Sequence, residues 1–426
     1  MTRREPVTDT TAAPSTGQPP AATGPLAGIR IVDLTSVVFG PYATQMLGDA
    51  GAEIIKVEPP EGDIMRAASA ARNKGMGAVF LTANRNKRSI VLDLKQPAAR
   101  EALLKLIATA DVFIHSLRPQ AISKLGFGYE AVRAAKPDII YCSAWGFWSV
   151  GPYAERPAYD DVIQGMSGMT DLVRKRGAEK PDFAPMVMAD KVSGLHAVAA
   201  VSMALVHRER TGQGQEIEVP MLESIASFTL VEHLAGAVFE PPLAPMGYAR
   251  VLAPDRQPHR TADGFMVVLP YNNRQWHAFF DVAGRNDMAD DPRLDDPVLR
   301  GQQSAEMYRM IAEIMPARST AEWERLLGEA DIPCVRVNTL EDLETDPHLA
   351  ATGFFKSYDH PTEGRLRTTD APIKFKGTPA EPLRRPPPRL GAQTREVLAE
   401  AGLSDTEIDA LLAEGAARTA SQPVET

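Results

Sequence analysis

The chain has 426 residues, 44% hydrophobic and 24% charged, which is long enough for two domains or for one domain with a large insertion. Its formal net charge of −9 argues against nucleic-acid binding, and no apolar run approaches the roughly 20 residues that a membrane span needs. The two cysteines, Cys142 and Cys334, lack the spacing of a zinc site or a disulfide scaffold, so we expect no metal and a reducing, cytoplasmic location.

The first half of the chain alternates between short apolar strands and helical segments. Residues 1–24 are rich in Thr, Ala, Pro and Gly and are predicted to form a disordered tail. After them, a large domain at 25–221 is predicted to contain a parallel sheet with helices on both faces, Rossmann-like in shape. No Gly-x-Gly-x-x-Gly follows the first strand, which disfavours a nicotinamide cofactor. Strands are predicted at 29–34, 53–57, 89–94, 112–115 and 138–143, and helices at 41–50, 97–108 and 121–134.

The second half of the chain is predicted to contain a smaller domain between two linkers. Proline-rich stretches mark both boundaries, and Asp263-Gly264 is a hairpin signal. We therefore predict an α/β fold in which a smaller α/β domain is inserted into the large one. The predicted units are a linker helix at 222–246, the small domain at 247–346, an extended linker at 347–388, and C-terminal helices at 389–426 that return to the large domain.

An aspartate precedes the most apolar helix of the chain. The segment Leu195 to Val206 is apolar on nearly every side and predicts a buried helix, which Gly212 and Gly214 terminate. Asp190 is then predicted at the N-cap, where an aspartate commonly serves only to stabilise the helix by about 1 kcal/mol. A carboxylate at a helix N-terminus is also expected to stay ionised, as a nucleophile must be, and Gly194 would let a ligand approach the backbone.

Four basic residues surround the third predicted strand. They are Arg85, Lys87, Arg88 and Lys95. Such a run is commonly a solvated face. The alternative is a local patch for a polyanionic ligand, which a chain of net negative charge would need in order to bind one.

The segment around Asp190 resembles the active-site segment of the class III coenzyme A transferases, which include formyl-CoA transferase and carnitine CoA-transferase. That pattern is an Asp, three residues, a Gly, an apolar helix and Thr-Gly-x-Gly-Gln, and it is filled by Asp190, Gly194 and Thr211 to Gln215. The resemblance extends over about residues 25 to 415. It implies an enzyme that transfers CoA from an acyl-CoA donor to a carboxylic acid acceptor. Asp190 would form first a mixed anhydride and then an aspartyl-CoA thioester.

The same resemblance implies the substrates, the assembly and the binding residues. CoA would be a substrate rather than a permanently bound cofactor, and the linkers would let two chains thread through each other as an interlocked homodimer. The first loop reads Val37-Val38-Phe39 where formyl-CoA transferase has a Gln, so CoA binding is better supported than formyl or oxalate specificity. The implied CoA contacts are Val38, Leu92, Asp93, Leu94, Lys95, Ser116, Leu117, Arg118, Lys124, Tyr159 and Asp160.

Two other functions stay open at this point. The α-methylacyl-CoA racemases, which share the fold that this resemblance implies, have a Gly-His-Asp triplet whose His removes the proton next to the thioester carbonyl. In such an enzyme Asp190 would be a base. Here the triplet is Ala158-Tyr159-Asp160, and the missing His favours a transferase. A non-catalytic CoA-binding protein is the second alternative, because a fold does not establish a function.

The entry to the small domain offers candidates for selecting the acceptor acid. They are Tyr248, Arg250, Arg256 and His259. The fork of an arginine guanidinium matches a carboxylate in geometry and charge.

Overall fold

The large domain is built on a parallel sheet whose strands alternate with helices along the chain. The structure, a computed structural model, describes residues 22–420. The large-domain strands are β1 (Arg30–Leu34), β2 (Glu53–Glu58), β3 (Lys87–Leu92), β4 (Val112–His115), β5 (Ile140–Trp145) and β6 (Gln215–Pro220). The helices are α1 (Phe39–Asp49), α2 (Ala78–Ala83), α3 (Pro97–Ile107), α4 (Pro119–Lys124), α5 (Tyr129–Ala135), α6 (Asp160–Met166), α7 (Met169–Lys175), α8 (Met188–Thr211) and α9 (Met221–His233).

The strand order β3-β2-β1-β4-β5-β6, all parallel, confirms the predicted α/β sheet and is that of a Rossmann fold. Successive residues of a strand face opposite sides of a sheet, and each side has its own apolar core. In β1, Ile31 belongs to the cluster that contains α1 and α8, whereas Val32 belongs to the cluster that contains α3. Helices therefore cover both faces, as the continuous apolar strands predict.

The crevice of the fold lies where the chain changes direction, between β1 and β4. The loops after these two strands touch, because the Ser36 N–H donates to Ser116 Oγ at 3.3 Å. In open parallel sheets, ligands bind outside the carboxyl ends of the strands at such a point. The geometry therefore places the candidate site at this edge of the sheet.

One predicted helix of the large domain is wrong. The segment 121–134 forms two helices, α4 and α5, rather than one. Gly126 separates them with a φ of 88°, a left-handed conformation that glycine adopts without steric cost. The turn allows Phe127 to bury its ring in the core beside α3.

The small domain has its own sheet and its own core. Three antiparallel strands pair in chain order, and an apolar cluster around Trp276 and Trp323 packs beneath them. In the predicted linker helix, α9 ends at His233, and the proline-rich segment that follows is not helical. The elements are α10 (Ala249–Leu252), β7 (His259–Arg260), β8 (Phe265–Val268), α11 (Asn273–Ala283), α12 (Pro297–Gln302), α13 (Ser304–Ile314), α14 (Thr320–Glu329) and β9 (Cys334–Arg336).

The segment 347–388 is not extended throughout, which corrects the prediction. Its first part forms a helix, α15 (Pro347–Ala351), and a hairpin of β10 (Phe355–His360) and β11 (Gly364–Thr369). Gly364 closes the hairpin with a φ of 65°, and prolines dominate only the later part of the segment, after β11.

The C-terminal part packs against the large domain. It comprises α16 (Thr394–Glu400), α17 (Asp405–Ala413) and β12 (Ala417–Arg418). Strand β12 pairs antiparallel with β3 and extends the sheet to seven strands.

Most of the predicted N-terminal tail and the last residues of the C-terminal segment lie outside the described residues. Of the predicted tail, residues 1–21 are outside, as are residues 421–426 of the C-terminal segment. Gly24, which was assigned to the tail, lies against Ala50, and the neighbouring Leu26 N–H donates to the Ala50 carbonyl at 3.0 Å. The packed chain therefore begins before residue 25.

Helix α8 is less buried than its sequence predicts. An 18-residue window of this 24-residue helix has a mean hydropathy of 1.3, so by length and composition alone α8 could cross a membrane, which corrects the expectation that no apolar run approaches that length. Core helices meet the same criterion, and α8 packs against α1, α9, β5 and β6. Its other face is open in the single chain, where Leu195 is 47% and Met203 is 65% exposed.

Candidate functional site

Asp190 lies in the first turn of α8 but is not its N-cap. The helix begins at Met188 after Val187, so the predicted capping role is wrong. Asp160, the first residue of α6, takes that role, because its Oδ1 accepts the Asp190 N–H at 2.9 Å. Gln164 holds Asp160 in place by donating to its Oδ2 at 2.6 Å. The Asp190 carboxylate is thereby left free, and no side chain or amide within residues 22–420 donates a hydrogen bond to it.

The protonation of Asp190 also differs from the expectation. The residue is 6% exposed, and burial together with the negative charge of Asp160 raises the pKa of its carboxyl from 3.8 to about 7. The prediction of a carboxylate that is fully ionised at neutral pH is therefore wrong, because a group with this pKa is partly protonated near pH 7.

Gly194 brings α1 against α8 rather than admitting a ligand, which corrects the sequence interpretation. A Cβ at this position would lie 3.0 Å from Tyr42 Cδ1 and 3.1 Å from the Phe39 carbonyl oxygen. Both neighbours belong to the first turn of α1. The glycine therefore lets the N-terminus of α1 lie one helical turn from Asp190. The predicted end of α8 is confirmed, since Gly212 caps it with a φ of 72°.

Buried charges hold the loop between β1 and α1. Lys56 Nζ donates to the Thr35 carbonyl at 2.9 Å and forms an ion pair of 2.8 Å with Asp63. Asp63 Oδ1 in turn accepts the Val37 N–H at 3.3 Å. Asp33 accepts the Thr35 N–H at 2.9 Å. Consecutive backbone groups of the loop are thus fixed by side chains that are almost entirely buried.

The loop is held in a strained conformation. Val37 has a φ of 70°, a region that a β-branched residue adopts only at a cost of roughly 1–2 kcal/mol. Strain of this kind concentrates at functional sites, where surrounding contacts enforce it. Val38 follows as the N-cap of α1, half-buried at the crevice. The structure therefore brings Val38, Ser116 and the start of α1 to the same edge of the sheet as Asp190.

Three of the four basic residues around the third predicted strand fit neither alternative, the solvated face or the patch for a polyanionic ligand. Arg85 is paired with Asp49, Lys87 with Asp33, and Arg88 with Glu400 among other carboxylates. All three cations are at least 95% buried, so they are neither a solvated face nor available to a ligand. Their partners lie 36, 54 and 312 residues away in sequence, beyond any local pattern.

The remaining predicted CoA contacts fall in two places. Leu92 is buried in the core at the end of β3, with Leu94 packed against the same cluster. The Asp93 carboxylate accepts a hydrogen bond from the backbone N–H of Lys95, and the side chain of Lys95 is exposed. This turn lies two strands from β1, or about 10 Å away at the usual strand spacing.

The other contacts surround the crevice itself. Arg118 is exposed at the N-cap of α4 and donates to the Glu155 carbonyl at 2.8 Å, and Leu117 is half-buried before it. Lys124 is exposed in the last turn of α4. Tyr159, the N-cap of α6, is 64% exposed beside the buried Asp160. The exposed cations Lys95, Arg118 and Lys124 are therefore the ones available to phosphate groups.

The residues that sequence reasoning missed are charges inside strands. Asp33 in β1 and Lys56 and Glu58 in β2 interrupt runs of apolar residues, which was the available signal. Burial of a charge is costly unless it is paired, so such residues are expected to form a network. Within the described part of the chain, no three His, Cys, Asp or Glu side chains group closely enough to hold a metal ion.

Comparison with known proteins identifies the family of the chain. The family model for CoA-transferase family III matches residues 26–394. Succinate--glutarate CoA-transferase of Agrobacterium fabrum is 33% identical, with 88% of this chain and 95% of that protein covered. Formyl-CoA:oxalate CoA-transferase of Streptomyces avermitilis is 32% identical, with 92% and 98% covered.

Solved structures give the same assignment. A CAIB/BAIF family protein from Brucella suis superposes with a TM-score of 0.75 at 30% identity, with 89% of this chain and 100% of that chain covered. Rv3272 from Mycobacterium tuberculosis gives 0.75 at 28% identity, with 88% and 99% covered. The resemblance found in the sequence is confirmed, and the chain belongs to CoA-transferase family III and is a CoA-transferase.

Proposed function

We propose that the enzyme transfers CoA from an acyl-CoA to a carboxylic acid with the Asp190 carboxylate as nucleophile. The observation that supports this most directly is the division of roles between two aspartates. Asp160 caps α8, and the Asp190 carboxylate has no hydrogen-bond donor within residues 22–420. A buried, unpaired carboxylate with a pKa of about 7 is costly to the fold, which is expected of a group retained for chemistry.

The proposed reaction consists of four attacks and needs no net proton transfer. An Asp190 oxygen attacks the thioester carbonyl, the C–S bond breaks, and CoA leaves as a thiolate, giving a mixed anhydride. The thiolate then attacks the Asp190 Cγ and releases the donor acid as a carboxylate. The acceptor carboxylate attacks the resulting aspartyl-CoA thioester and displaces the thiolate. Attack of that thiolate on the acceptor carbonyl forms the new acyl-CoA and regenerates Asp190.

Backbone amides at the start of α1 are suited to stabilise the oxyanions of these steps. The N–H groups of Val38 and Phe39 have no acceptor within the described residues, and the N-terminal end of a helix has a partial positive charge. One preorganised donor is typically worth about 3 kcal/mol to such a transition state. The strained loop fixed by Lys56 and Asp63 would hold these donors in place.

We propose that the CoA nucleotide lies along the carboxyl edge of the sheet. Val38 and Ser116 to Arg118 surround the crevice, and the exposed ammonium groups of Lys95 and Lys124 are suited to the phosphates. Curated relatives are named for succinate, glutarate, formyl and oxalate transfer, so small organic acids are the class to assay first.

Trapping the intermediates tests the mechanism. Wild-type enzyme is mixed with succinyl-CoA and hydroxylamine, and we expect mass spectrometry to find a hydroxamate on the peptide that contains Asp190. Turnover without any modification of that peptide would exclude a covalent role for Asp190. Incorporation of deuterium at the carbon next to the thioester, without exchange of acids, would instead support the racemase alternative.

We also propose that two chains form an interlocked homodimer. Several large apolar side chains on α8, α9 and the following linker are between 47% and 83% exposed in the single chain, which indicates a covered surface. Proline-rich stretches at 241–246, before the small domain, and at 372–388, after β11, are suited to threading. The exposed residues are Leu195, Met203, Val206, Phe228, Val231, Leu243 and Met246.

Subunit exchange tests the dimer. Two differently tagged preparations are mixed, and we expect no hybrid dimers until the chains are unfolded and refolded together. Rapid exchange under native conditions, or a folded monomer by light scattering, would contradict interlocking.

A further inference from the structure

The small domain contains a cavity of about 260 Å³ with two arginines in its wall. Four aromatic side chains contribute to the remaining wall, and α12 and α13 close one side. No Asp or Glu lines it. The residues that surround it are Tyr248, Arg250, Pro270, Tyr271, Trp276, Pro297, Arg300, Gly301, Ser304, Met307 and Tyr308.

Arg300 is buried without a carboxylate partner. The residue is 8% exposed, and its Nη1 donates to the carbonyls of Arg293 and Leu294 at 2.7 and 2.9 Å. One Nη2 hydrogen goes to Asn273 Oδ1 at 3.0 Å. These acceptors are all neutral. The Nε–H and the second Nη2–H have no acceptor in the described part of the chain, so they remain available to a ligand.

Arg250 faces the same cavity and is likewise not neutralised. Its Nε donates to Tyr308 Oη at 3.2 Å, and its guanidinium lies 5.2 Å from the centre of the Tyr271 ring. No carboxylate lies within ion-pair distance of Arg250 or of Arg300 among residues 22–420. Burial, with the positive charge of Arg250, lowers the pKa of Arg300 from its usual value, although Asp296 and Asp295 act in the opposite direction.

The nearest carboxylates are occupied elsewhere. Asp296 accepts the backbone amides of Val298 and Leu299 at the start of α12, and Asp295 is paired with His277 at 3.0 Å. The first turn of α13, at Ser304, also lines the cavity without a side-chain cap and adds a partial positive charge. Two neighbouring cations and a helix N-terminus with no facing anion create a site whose missing component is negative.

We propose that this pocket binds the carboxylate of a small organic acid, with the acid held between Arg250 and Arg300. Guanidinium forks match carboxylates in geometry, and two of them favour a dicarboxylate over a monocarboxylate. The volume is below the roughly 300–1,000 Å³ of pockets that enclose drug-sized ligands, so it suits a small acid rather than a whole CoA molecule. The walls of Trp276 and Tyr308 would pack on the carbon chain.

The pocket is then where the acceptor acid is selected, and this part of the inference rests on the proposed transfer reaction and dimer. In an interlocked dimer, the small domain of one chain closes the active site of the other, so Tyr248 and Arg250 would face the partner's crevice. The binding itself does not depend on transfer. Binding and transfer can therefore be tested separately.

The test is a titration of the full-length protein with glutarate, butyrate, CoA and dephospho-CoA, followed by ligand-observed NMR. We expect glutarate to bind more tightly than butyrate and Arg250→Gln to weaken glutarate binding by about tenfold or more. Arg309→Gln is the matched control, because Arg309 lies on α13 but is 60% exposed and outside the cavity. We expect that control to bind glutarate as the wild type does. Circular dichroism and thermal melting confirm that each variant is folded.

Three results would overturn the proposal. The first is that the wild type does not bind glutarate, and the second is that Arg250→Gln binds glutarate as tightly as the wild type. The third is that Arg250→Gln loses affinity for CoA but not for dephospho-CoA or glutarate, which would identify a phosphate site. Asp190→Asn separates this proposal from the proposed reaction. If Asp190→Asn still transfers CoA while Arg250→Gln fails to bind glutarate, the mechanism is wrong and the pocket assignment stands.

Discussion

Two buried aspartates of the large domain lie at the same edge of the sheet and have opposite electrostatic surroundings. Asp33, at the end of β1, faces two ammonium groups, and Asp190, at the start of α8, faces another carboxylate. Burial alone would raise the pKa of both. At Asp33 the charges of Lys87 and Lys56 lower the pKa to about 2, whereas at Asp190 the charge of Asp160 contributes to a pKa of about 7.

The difference separates a carboxylate that is committed to the fold from one that is left free for the proposed reaction. Asp33 is committed to hydrogen bonds and an ion pair that shape the loop before α1. Asp190 contributes its backbone N–H to the fold and leaves its carboxylate free. The same residue type therefore supports the loop at one position and is available for chemistry at the other, and the partners decide which.

The largest expected effect is the loss of transfer in Asp190→Asn. The amide fills the same space but cannot form an anhydride, so we expect transfer to fall by at least about 10³-fold, as for other covalent nucleophiles. Initial rates with succinyl-CoA and a panel of acids measure it. CoA binding should be unchanged, because the Asp190 N–H still reaches Asp160. If a deamidation-free preparation of Asp190→Asn retains more than a few per cent of wild-type turnover, Asp190 has a structural role, as Asp33 does, and is not the nucleophile.

The second effect is on stability and concerns Asp33→Asn. This change leaves Lys87 buried without its anion, so we expect a loss of about 3–5 kcal/mol in the free energy of unfolding. Urea unfolding at matched protein concentration measures it. Asp331→Asn, which breaks an exposed ion pair with Arg274, is the control and should change stability by less than about 1 kcal/mol.

The pH dependence of Asp33 gives a further check on this variant. Its folded pKa of about 2 lies below the ordinary 3.8, so its stabilisation is present above pH 3.8 and is lost as the pH falls toward 2. The difference in the free energy of unfolding between the wild type and Asp33→Asn should therefore shrink as the pH falls from 3.8 toward 2. An advantage that persists unchanged to pH 2 would contradict the assigned pairing.

The third effect is a shift in the pH profile of Asp160→Asn. Asparagine still offers an oxygen to the Asp190 N–H, but it removes one of the two causes of the raised pKa. The first half-reaction needs an ionised Asp190, so its rate should rise with pH through about 7 in the wild type. In Asp160→Asn the midpoint should move to lower pH without reaching 3.8, because burial remains. Asp161→Asn, an exposed change on the same helix, should leave the midpoint in place.

The sequence predicted the elements whose signals are local. Alternating apolar strands and helices predicted the parallel sheet, and the apolar run that ends at Gly212 located helix α8. The errors involved distant partners. No residue near Arg88 in the sequence indicates that Arg88 pairs with Glu400. The cap of α8 likewise comes from Asp160, thirty residues before Asp190. Charge pairing and capping between elements depend on packing, which periodicity does not encode.

The smallest expected effect tests whether the Asp33 region actively holds the loop. Val37 has a φ of 70°, where glycine is unstrained, so Val37→Gly removes roughly 1–2 kcal/mol of strain. The added freedom of glycine in the unfolded chain offsets about 0.5–1 kcal/mol of that gain. We therefore expect Val37→Gly to leave the free energy of unfolding unchanged or to raise it by up to about 1.5 kcal/mol, measured by urea unfolding. If the ion pair of Lys56 and Asp63 fixes the loop for catalysis, transfer should slow in Val37→Gly although the protein is no less stable.

A variant that is clearly destabilised would show that the valine side chain contributes packing that exceeds its strain. Unchanged transfer in a stabilised variant would show that the fixed loop conformation matters to the fold and not to the reaction at Asp190.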